Sequence, residues 1–376
     1  MSISPFKFGK VVTGEDFINR EPEKLRIRNN ILSLNNTVII SPRRWGKSSL
    51  VWQLAAEMGS DKIRFVMLDI YNIRTEEEFL TTYSKEILKA AITRKEELLN
   101  SAREFFKRII PVISFRLDPV NDISLKFNWE EAKDAIDEVI NLPEKIAVKK
   151  GIRLVVCIDE FQNIARIKDY EKLEETLRSC WQHHKNVSYC LYGSKKHMMA
   201  DIFRNKSRPF YRFGDMIMLD KVPEEHWIGF ISNGFEKAGK TFPGQLVTRL
   251  IEMADNHPEY IQQLAHFTWA MTEKAVDEII LKEASGLVLN SNSIFYQEVC
   301  DNLSLTQLNL IKAVMQGEKQ FTAAEVMRRY NLGTPRNVSK NKDVLESKDI
   351  IDFSSDTPSF TDPFFKLWFG MTFSLE

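Results

Sequence analysis

Two kinds of apolar pattern alternate along the first 220 residues. Short, nearly continuous apolar runs occur at 38–40, 64–71, 154–158, 187–192 and 216–219, as expected of parallel strands covered on both faces. Between them apolar residues recur every three or four positions, which predicts helices over 22–34, 50–58, 75–110, 129–149 and 170–185. Pro22 suits a first helical turn with Asn19 as its cap, and Thr75-Glu76-Glu77-Glu78 has the composition of a capped, acidic first turn. Positions 112–117 and 123–127 alternate apolar with polar around Asp118-Pro119-Val120-Asn121-Asp122, which predicts a β-hairpin. Beyond Pro223 the pattern is helical only, over 224–237, 244–253 and 258–283. The last ~80 residues read as a separate unit by ordinary domain size. Helices are expected there over 305–315, 322–330 and 335–347, followed by short strands at 350–353 and 359–361, the order of a winged helix-turn-helix. Phe364, Phe365, Leu367, Trp368 and Phe369 then form an apolar cluster, read as core.

The expected architecture is α/β: a parallel sheet with helices on both faces over 1–220, holding a helix–hairpin–helix insertion at about 75–150. A helical lid over 221–295 and a winged helix over 296–376 complete the chain. With 43% hydrophobic and 11% aromatic residues, the 376 residues carry enough apolar surface for two or three packed domains. Lys plus Arg and Asp plus Glu both number 52, so no global field draws the protein to nucleic acid or to a membrane, and any such binding needs a local patch. Cys157, Cys180, Cys190 and Cys300 form no Cys-x-x-Cys pair, and two of them lie in apolar runs. Reduced core thiols in a cytoplasmic protein are expected. The six histidines contain no His-Glu-x-x-His, and His183-His184 has no partner at ligand spacing. Residues 1–10 lack a signal-peptide core, and no apolar run approaches the ~20 residues of a membrane span.

The chemistry gathers where the first apolar run meets its helix, in Val38-Ile39-Ile40-Ser41-Pro42-Arg43-Arg44-Trp45-Gly46-Lys47-Ser48-Ser49-Leu50. A strand, a loop ending in Gly-Lys-Ser and a helix make a P-loop, whose backbone N–H groups wrap a phosphate at the helix N-terminus. Lys47 would reach the β- and γ-phosphates of ATP, and the Ser48 hydroxyl would hold Mg²⁺. The usual pattern opens with Gly where this chain has Ser41, so a stiffer or slower loop is expected. The run 154–158 ends in Asp159-Glu160, 111 positions after Ser48. Carboxylates at the C-terminal edge of a parallel strand lie where ligands bind. Asp159 is expected to bind Mg²⁺ from the strand neighbouring the loop strand, and Glu160 to polarise the attacking water. Ser194, which ends the run after Gly193, is expected to sense phosphate or that water. Of the three arginines in the loop-like stretch 204–215, each is of a type suited to a transferring phosphate.

Several of these residues, taken in order, resemble the archaeal-type ATPases of the AAA-like STAND group of P-loop proteins. They are Phe17 with Arg20-Glu21, the loop 41–48, Ile158-Asp159-Glu160, Gly193-Ser194, Pro209-Phe210-Tyr211-Arg212-Phe213, His257-Pro258-Glu259-Tyr260 and Phe360-Thr361-Asp362-Pro363-Phe364-Phe365. The resemblance implies that Phe17 and Arg20 border the adenine. It also implies that Arg212 senses phosphate or acts as a finger, and that the Pro258 region brings the lid onto the nucleotide. Where the family often has Gly or Asn-Gly before that proline, this chain has Asn256-His257.

Three functions fit. One is an ATP-driven switch that repositions the winged helix to act on DNA; another is the same switch with a protein partner. The third is a nucleotide-binding module with little hydrolysis. Over 334–349 four basic residues, Arg336, Lys340, Lys342 and Lys348, stand against Asp343, Glu346 and Asp349, a thin footprint for DNA. Oligomerisation is compatible with all three.

Overall fold

The structure is a computed structural model that describes residues 3–91, 113–117, 123–127 and 136–373. It divides into two compact units, Val12–Asp220 and a second formed by Lys221–Glu376 with the residues up to Val11.

The first unit begins with α1 (Glu21–Leu32), β1 (Thr37–Ile40), α2 (Lys47–Met58), β2 (Ile63–Asp69) and α3 (Glu76–Ala91). A hairpin of β3 (Ile113–Leu117) and β4 (Ile123–Phe127) follows, then α4 (Ile136–Ile140), α5 (Leu142–Lys150) and β5 (Arg153–Asp159). The unit ends with α6 (Tyr170–Trp181), β6 (Val187–Gly193), α7 (Lys196–Arg204) and β7 (Asp215–Met218). Five strands pair in parallel in the order β2-β5-β6-β1-β7. Side chains alternate across that sheet. Val38, Ile40, Val156, Ile158 and Leu191 pack with α3 to α7, whereas Ile39, Val155, Cys157 and Cys190 pack with α1 and α2. Helices thus cover both faces, which is why the strands read as continuous apolar runs. All four cysteines are buried free thiols.

The crossover from β1 runs over one face through α2, and the one from β6 runs over the other through α7. A crevice therefore opens at the C-terminal ends of β1 and β6, the place where open parallel sheets bind ligands. One expectation is corrected here. The strand bearing Asp159 is not the neighbour of β1, because β6 lies between them.

Some helices differ from the periodic reading. The Thr75 cap forms as a reciprocal pair with Glu78, but α3 is described only to Ala91, and 92–112 and 128–135 lie outside the described residues. Within 136–150 the single expected helix breaks at Asn141, because Pro143 has no N–H to continue the ladder. Asn19 does not cap α1; Arg20 holds the N-cap position in a left-handed conformation. Inside the stretch read as loop-like, α7 extends to Arg204.

The second unit holds α8 (Glu224–Glu236), α9 (Gly244–Met253), α10 (Pro258–Met271), α11 (Glu278–Asp301), α12 (Leu305–Met315), α13 (Ala324–Arg329) and α14 (Pro335–Ser347). The antiparallel β8 (Ile351–Asp352) and β9 (Ser359–Phe360) and the closing α15 (Pro363–Thr372) follow. The helix expected over 258–283 is two helices. Lys240 Nζ donates to the carbonyls of Trp269 and Thr272, at 2.7 and 2.6 Å, closing the first of them. Asp277 then caps the second by accepting from Ile280 N at 2.8 Å. No described helix is long and apolar enough to cross a membrane.

Candidate nucleotide site

At the C-terminal end of β1 the chain turns through Arg44 and Gly46, both left-handed at φ 61° and 85°, and enters α2. Only glycine takes that conformation without cost, which accounts for Gly46. Ser41, at the position usually glycine, lies outside the left-handed region, so the expectation that it stiffens the loop through its backbone is not supported. Ser41 is buried; its N–H reaches the Gly193 carbonyl at 3.5 Å and its hydroxyl donates to the Pro42 carbonyl at 3.2 Å. No side chain of the N-cap residue bonds the first N–H groups of α2, which leaves them oriented for an anion.

Lys47, 5% exposed, lies inside the loop with Nζ on the Pro42 carbonyl at 3.1 Å. A lysine folded back within its own loop can exchange that carbonyl for a phosphate. Ser48 Oγ donates to Asp159 Oδ2 at 2.7 Å, closing a separation of 111 residues. Asp159 Oδ1 accepts from Glu160 N at 2.8 Å. Burial pushes the Asp159 carboxyl up to about 6, against the Ser48 hydrogen bond and the Lys47 charge and with help from the Glu160 charge. A half-buried carboxylate beside a hydroxyl and a lysine, at a helix N-terminus, is an oxygen donor set that fits Mg²⁺ with a phosphate.

Glu160 begins a 3₁₀ turn, Phe161–Arg166, with φ 53°. Its Oε2 accepts from Ser194 Oγ at 2.9 Å and also from Gln162 Nε2. Ser194 was singled out by its place after β6, and it touches Glu160. Gln162 was missed; the available signal was an amide within an apolar turn, Phe161-Gln162-Asn163-Ile164.

Around this centre, Arg20 is buried and backs the loop. Its guanidinium bonds Glu23 at 3.0 Å, the Asp220 carbonyl at 2.6 Å and the Trp45 carbonyl at 3.4 Å. Phe17 is half-buried with the Lys24 ammonium 6.0 Å from its ring centre. The Ser49 hydroxyl accepts from Val12 N at 3.1 Å, so it faces away from the loop's concavity. Arg43 and Arg44 are exposed; Pro42 and Trp45 are half-buried. Arg208 ion-pairs with buried Glu174 and lies over the Tyr170 ring, a packing role. Arg212 is exposed with its guanidinium over the Tyr211 ring, and no hydrogen bond or ion pair joins it to the loop among the described residues. Pro258 starts α10 in the other unit.

A five-stranded parallel sheet whose first loop meets a carboxylate pair from two strands away, followed by a winged helix, defines an ATPase domain carrying a winged helix. The family described as the ATPase domain predominantly from Archaea matches residues 17–264, and the chain belongs to it. A probable winged helix domain matches residues 294–371. The Walker-type ATPase PABY2304 of Pyrococcus abyssi superposes with a TM-score of 0.68, at 15% identity, over 97% of this chain and 99% of that one. The Aeropyrum pernix ORC2 protein in ADPNP–ADP complexes gives 0.57 at 14% identity over 98% and 99%. The Aeropyrum pernix ORC1 protein in complex with DNA gives 0.50 at 12% identity over 95% and 94%. At such identities the likeness is one of fold. No curated protein matches the chain.

Proposed function

We propose that this chain binds ATP with Mg²⁺, hydrolyses it, and passes the nucleotide state to its winged helix as a switch of the AAA-like STAND kind. The observation that carries the reading is the 2.7 Å bond between Ser48 and Asp159 beside buried Lys47. Ser48 and Asp159 would hold Mg²⁺, which would supply positive charge against the charge developing on the phosphates. Lys47 leaves the Pro42 carbonyl for the β- and γ-phosphates, while the N–H groups from Gly46 to Ser49 cradle the chain of phosphates. The loop residues Ser41, Pro42, Arg43, Arg44 and Trp45 frame that cradle. Glu160 orients water for in-line attack, with Ser194 beside it. Phe17 and Arg20 border the adenine, Pro258 brings in the lid, and Arg212 meets the phosphate from its own chain or from a second copy.

The partner of the winged helix is read as a protein. Exposed basic residues on α14 are Arg336 and Lys340, with Asp343 between them and its end. Lys342 is committed elsewhere, 4.7 and 5.2 Å from the ring centres of Phe321 and Phe353. The wing, 353–358, carries Asp356 and no Lys or Arg. A DNA-reading surface needs more positive charge to release counterions. The DNA-bound Aeropyrum pernix ORC1 protein keeps the other reading in view. The non-hydrolysing reading drew on Ser41, and the backbone at Ser41 gives it no support.

The test is a pair of substitutions in the full chain. Lys47→Ala is expected to abolish binding of a fluorescent ATP analogue. Glu160→Gln is expected to retain binding and lower kcat by about 100-fold or more, the scale of a catalytic base. Wild-type turnover in Glu160→Gln would refute the role given to that residue.

A further inference from the structure

We propose that Gln162 is a positioning residue of this hydrolytic site, selecting which oxygen of Glu160 is free to meet water. The inference rests on the hydrolytic reading above. Gln162 is 1% exposed and stands in the turn after β5 between Phe161 and Ile164, both fully buried. An amide buried there is costly unless it is bonded, and an apolar side chain of similar length would fill the space without that cost. Its bond is to the carboxylate: Nε2 donates to Glu160 Oε2. Only the NH₂ end of an amide can face a carboxylate, so the amide's orientation is fixed by chemistry.

The other end of the amide shows what the site gives up to keep it. Gln162 Oε1 has no hydrogen-bond partner among the described residues. It also lies where a side chain on residue 193 would begin, since a Cβ there would stand 1.9 Å from Oε1 and 2.8 Å from Met199 Sδ. Gly193 ends β6 in extended backbone and needs no special conformation. Its lack of a side chain leaves room for the Gln162 amide and Met199, which a Cβ there would displace. Two positions on different elements are therefore matched to bring one amide against Glu160.

Glu160 itself is turned by a left-handed backbone, a conformation that residues other than glycine rarely adopt. Ser194 Oγ, at 2.9 Å, bonds the same Oε2. With both donors on Oε2, the carboxylate cannot swing, and Oε1 is the oxygen left to accept from water. Holding a catalytic group in one orientation is worth large factors, and misplacement by about 1 Å can cost on the order of 100-fold.

The experiment compares wild type, Gln162→Met and Gly193→Ala in the full chain, measuring kcat, KM and the Kd of a fluorescent ATP analogue. Gln162→Met keeps length and removes the donor; Gly193→Ala displaces Oε1 and tests the same contact should the first variant not fold. Both are expected to lower kcat by about 10–100-fold with KM and Kd held within about twofold. Added to Glu160→Gln, Gln162→Met is expected to cost nothing further, because the residue it positions is already disabled. Unchanged kcat, a loss of Kd in parallel with kcat, or a full additional loss in the Glu160→Gln background overturns the positioning role alone. A wild-type chain that binds the analogue but turns over no ATP overturns the hydrolytic reading and the positioning role with it.

Discussion

Glu174 offers a quantitative test of how the first unit is held together. Its side chain on α6 has no solvent exposure; one oxygen accepts from Arg208 Nη2 at 2.8 Å and the other has no hydrogen-bond partner among the described residues. Burial outweighs the Arg208 charge and pushes the carboxyl up to about 7. Because the folded chain holds this proton more tightly than the unfolded one, the stabilisation is complete below the unfolded value of ~4.3. It is lost as pH rises through about 7. Between about pH 5 and pH 7.5 the loss is on the order of 2 kcal/mol from this group. For a unit of roughly 200 residues that corresponds to about 4–8 °C in Tm. Thermal unfolding of wild type and Glu174→Gln across that range isolates the effect, since Asp159 titrates in both and cancels in the difference. The variant is expected to lack this part of the decline and so to gain on wild type as pH rises. Equal pH slopes for the two proteins would show that the Glu174 carboxylate is already ionised at low pH and that the reasoning fails. Arg208 also lies in the segment that ends in Arg212, the arginine proposed above to meet the phosphate.

Two further outcomes are expected. Since burial raises Asp159 to about 6 and a metal ligand must be deprotonated, adding Mg²⁺ with ADP at about pH 5.5 should release most of one proton more from wild type than from Asp159→Asn, the ADP phosphate contributing equally to both, and almost no more at about pH 8. Titration calorimetry in buffers of different ionisation enthalpy measures this, and an equal difference at both pH values would remove Asp159 from the metal site. Duplex DNA is expected to show no binding to the full chain at about 50 mM salt. Binding that falls steeply with salt, and is weakened by Arg336→Ala with Lys340→Ala, would restore the DNA reading.

The parts of the fold set by local pattern were legible. Strands buried on both faces betray themselves as apolar runs, and the Thr75–Glu78 cap is local chemistry, whereas the helix α15 starting at Pro363 was read only as an apolar cluster. What the sequence hid was decided at a distance. Strand order depends on which crossover takes which face, so β6 between β1 and β5 had no signature within any one segment. The break after Met271 depends on Lys240, some thirty residues earlier, bonding the helix's last carbonyls. The motif order picked out Ser48 and Asp159, which the structure brings into contact, but gave no reason to look at Gln162. An amide's role depends on what its two ends meet, and here those are Glu160 and the bare backbone of Gly193.

Within the second unit, the winged helix is not hung on a flexible link. The helix α11 runs unbroken from Glu278 to Asp301, past the start of the winged-helix match at residue 294. Tyr260, two residues into α10 after Pro258, donates to Asp362, and the Tyr296 hydroxyl on α11 lies 3.0 Å from the Tyr260 hydroxyl and 3.2 Å from both Asp362 oxygens. Asp362 in turn caps α15 by accepting from Phe365 N at 2.8 Å. Burial raises the Asp362 carboxyl despite these donors, and a buried carboxylate stripped of them would carry the full cost of desolvation. Three helices are thus joined at one carboxylate. The Pro258 helix α10 and the closing helix of the winged domain thus meet through side-chain contacts at Asp362 rather than only through the chain between them.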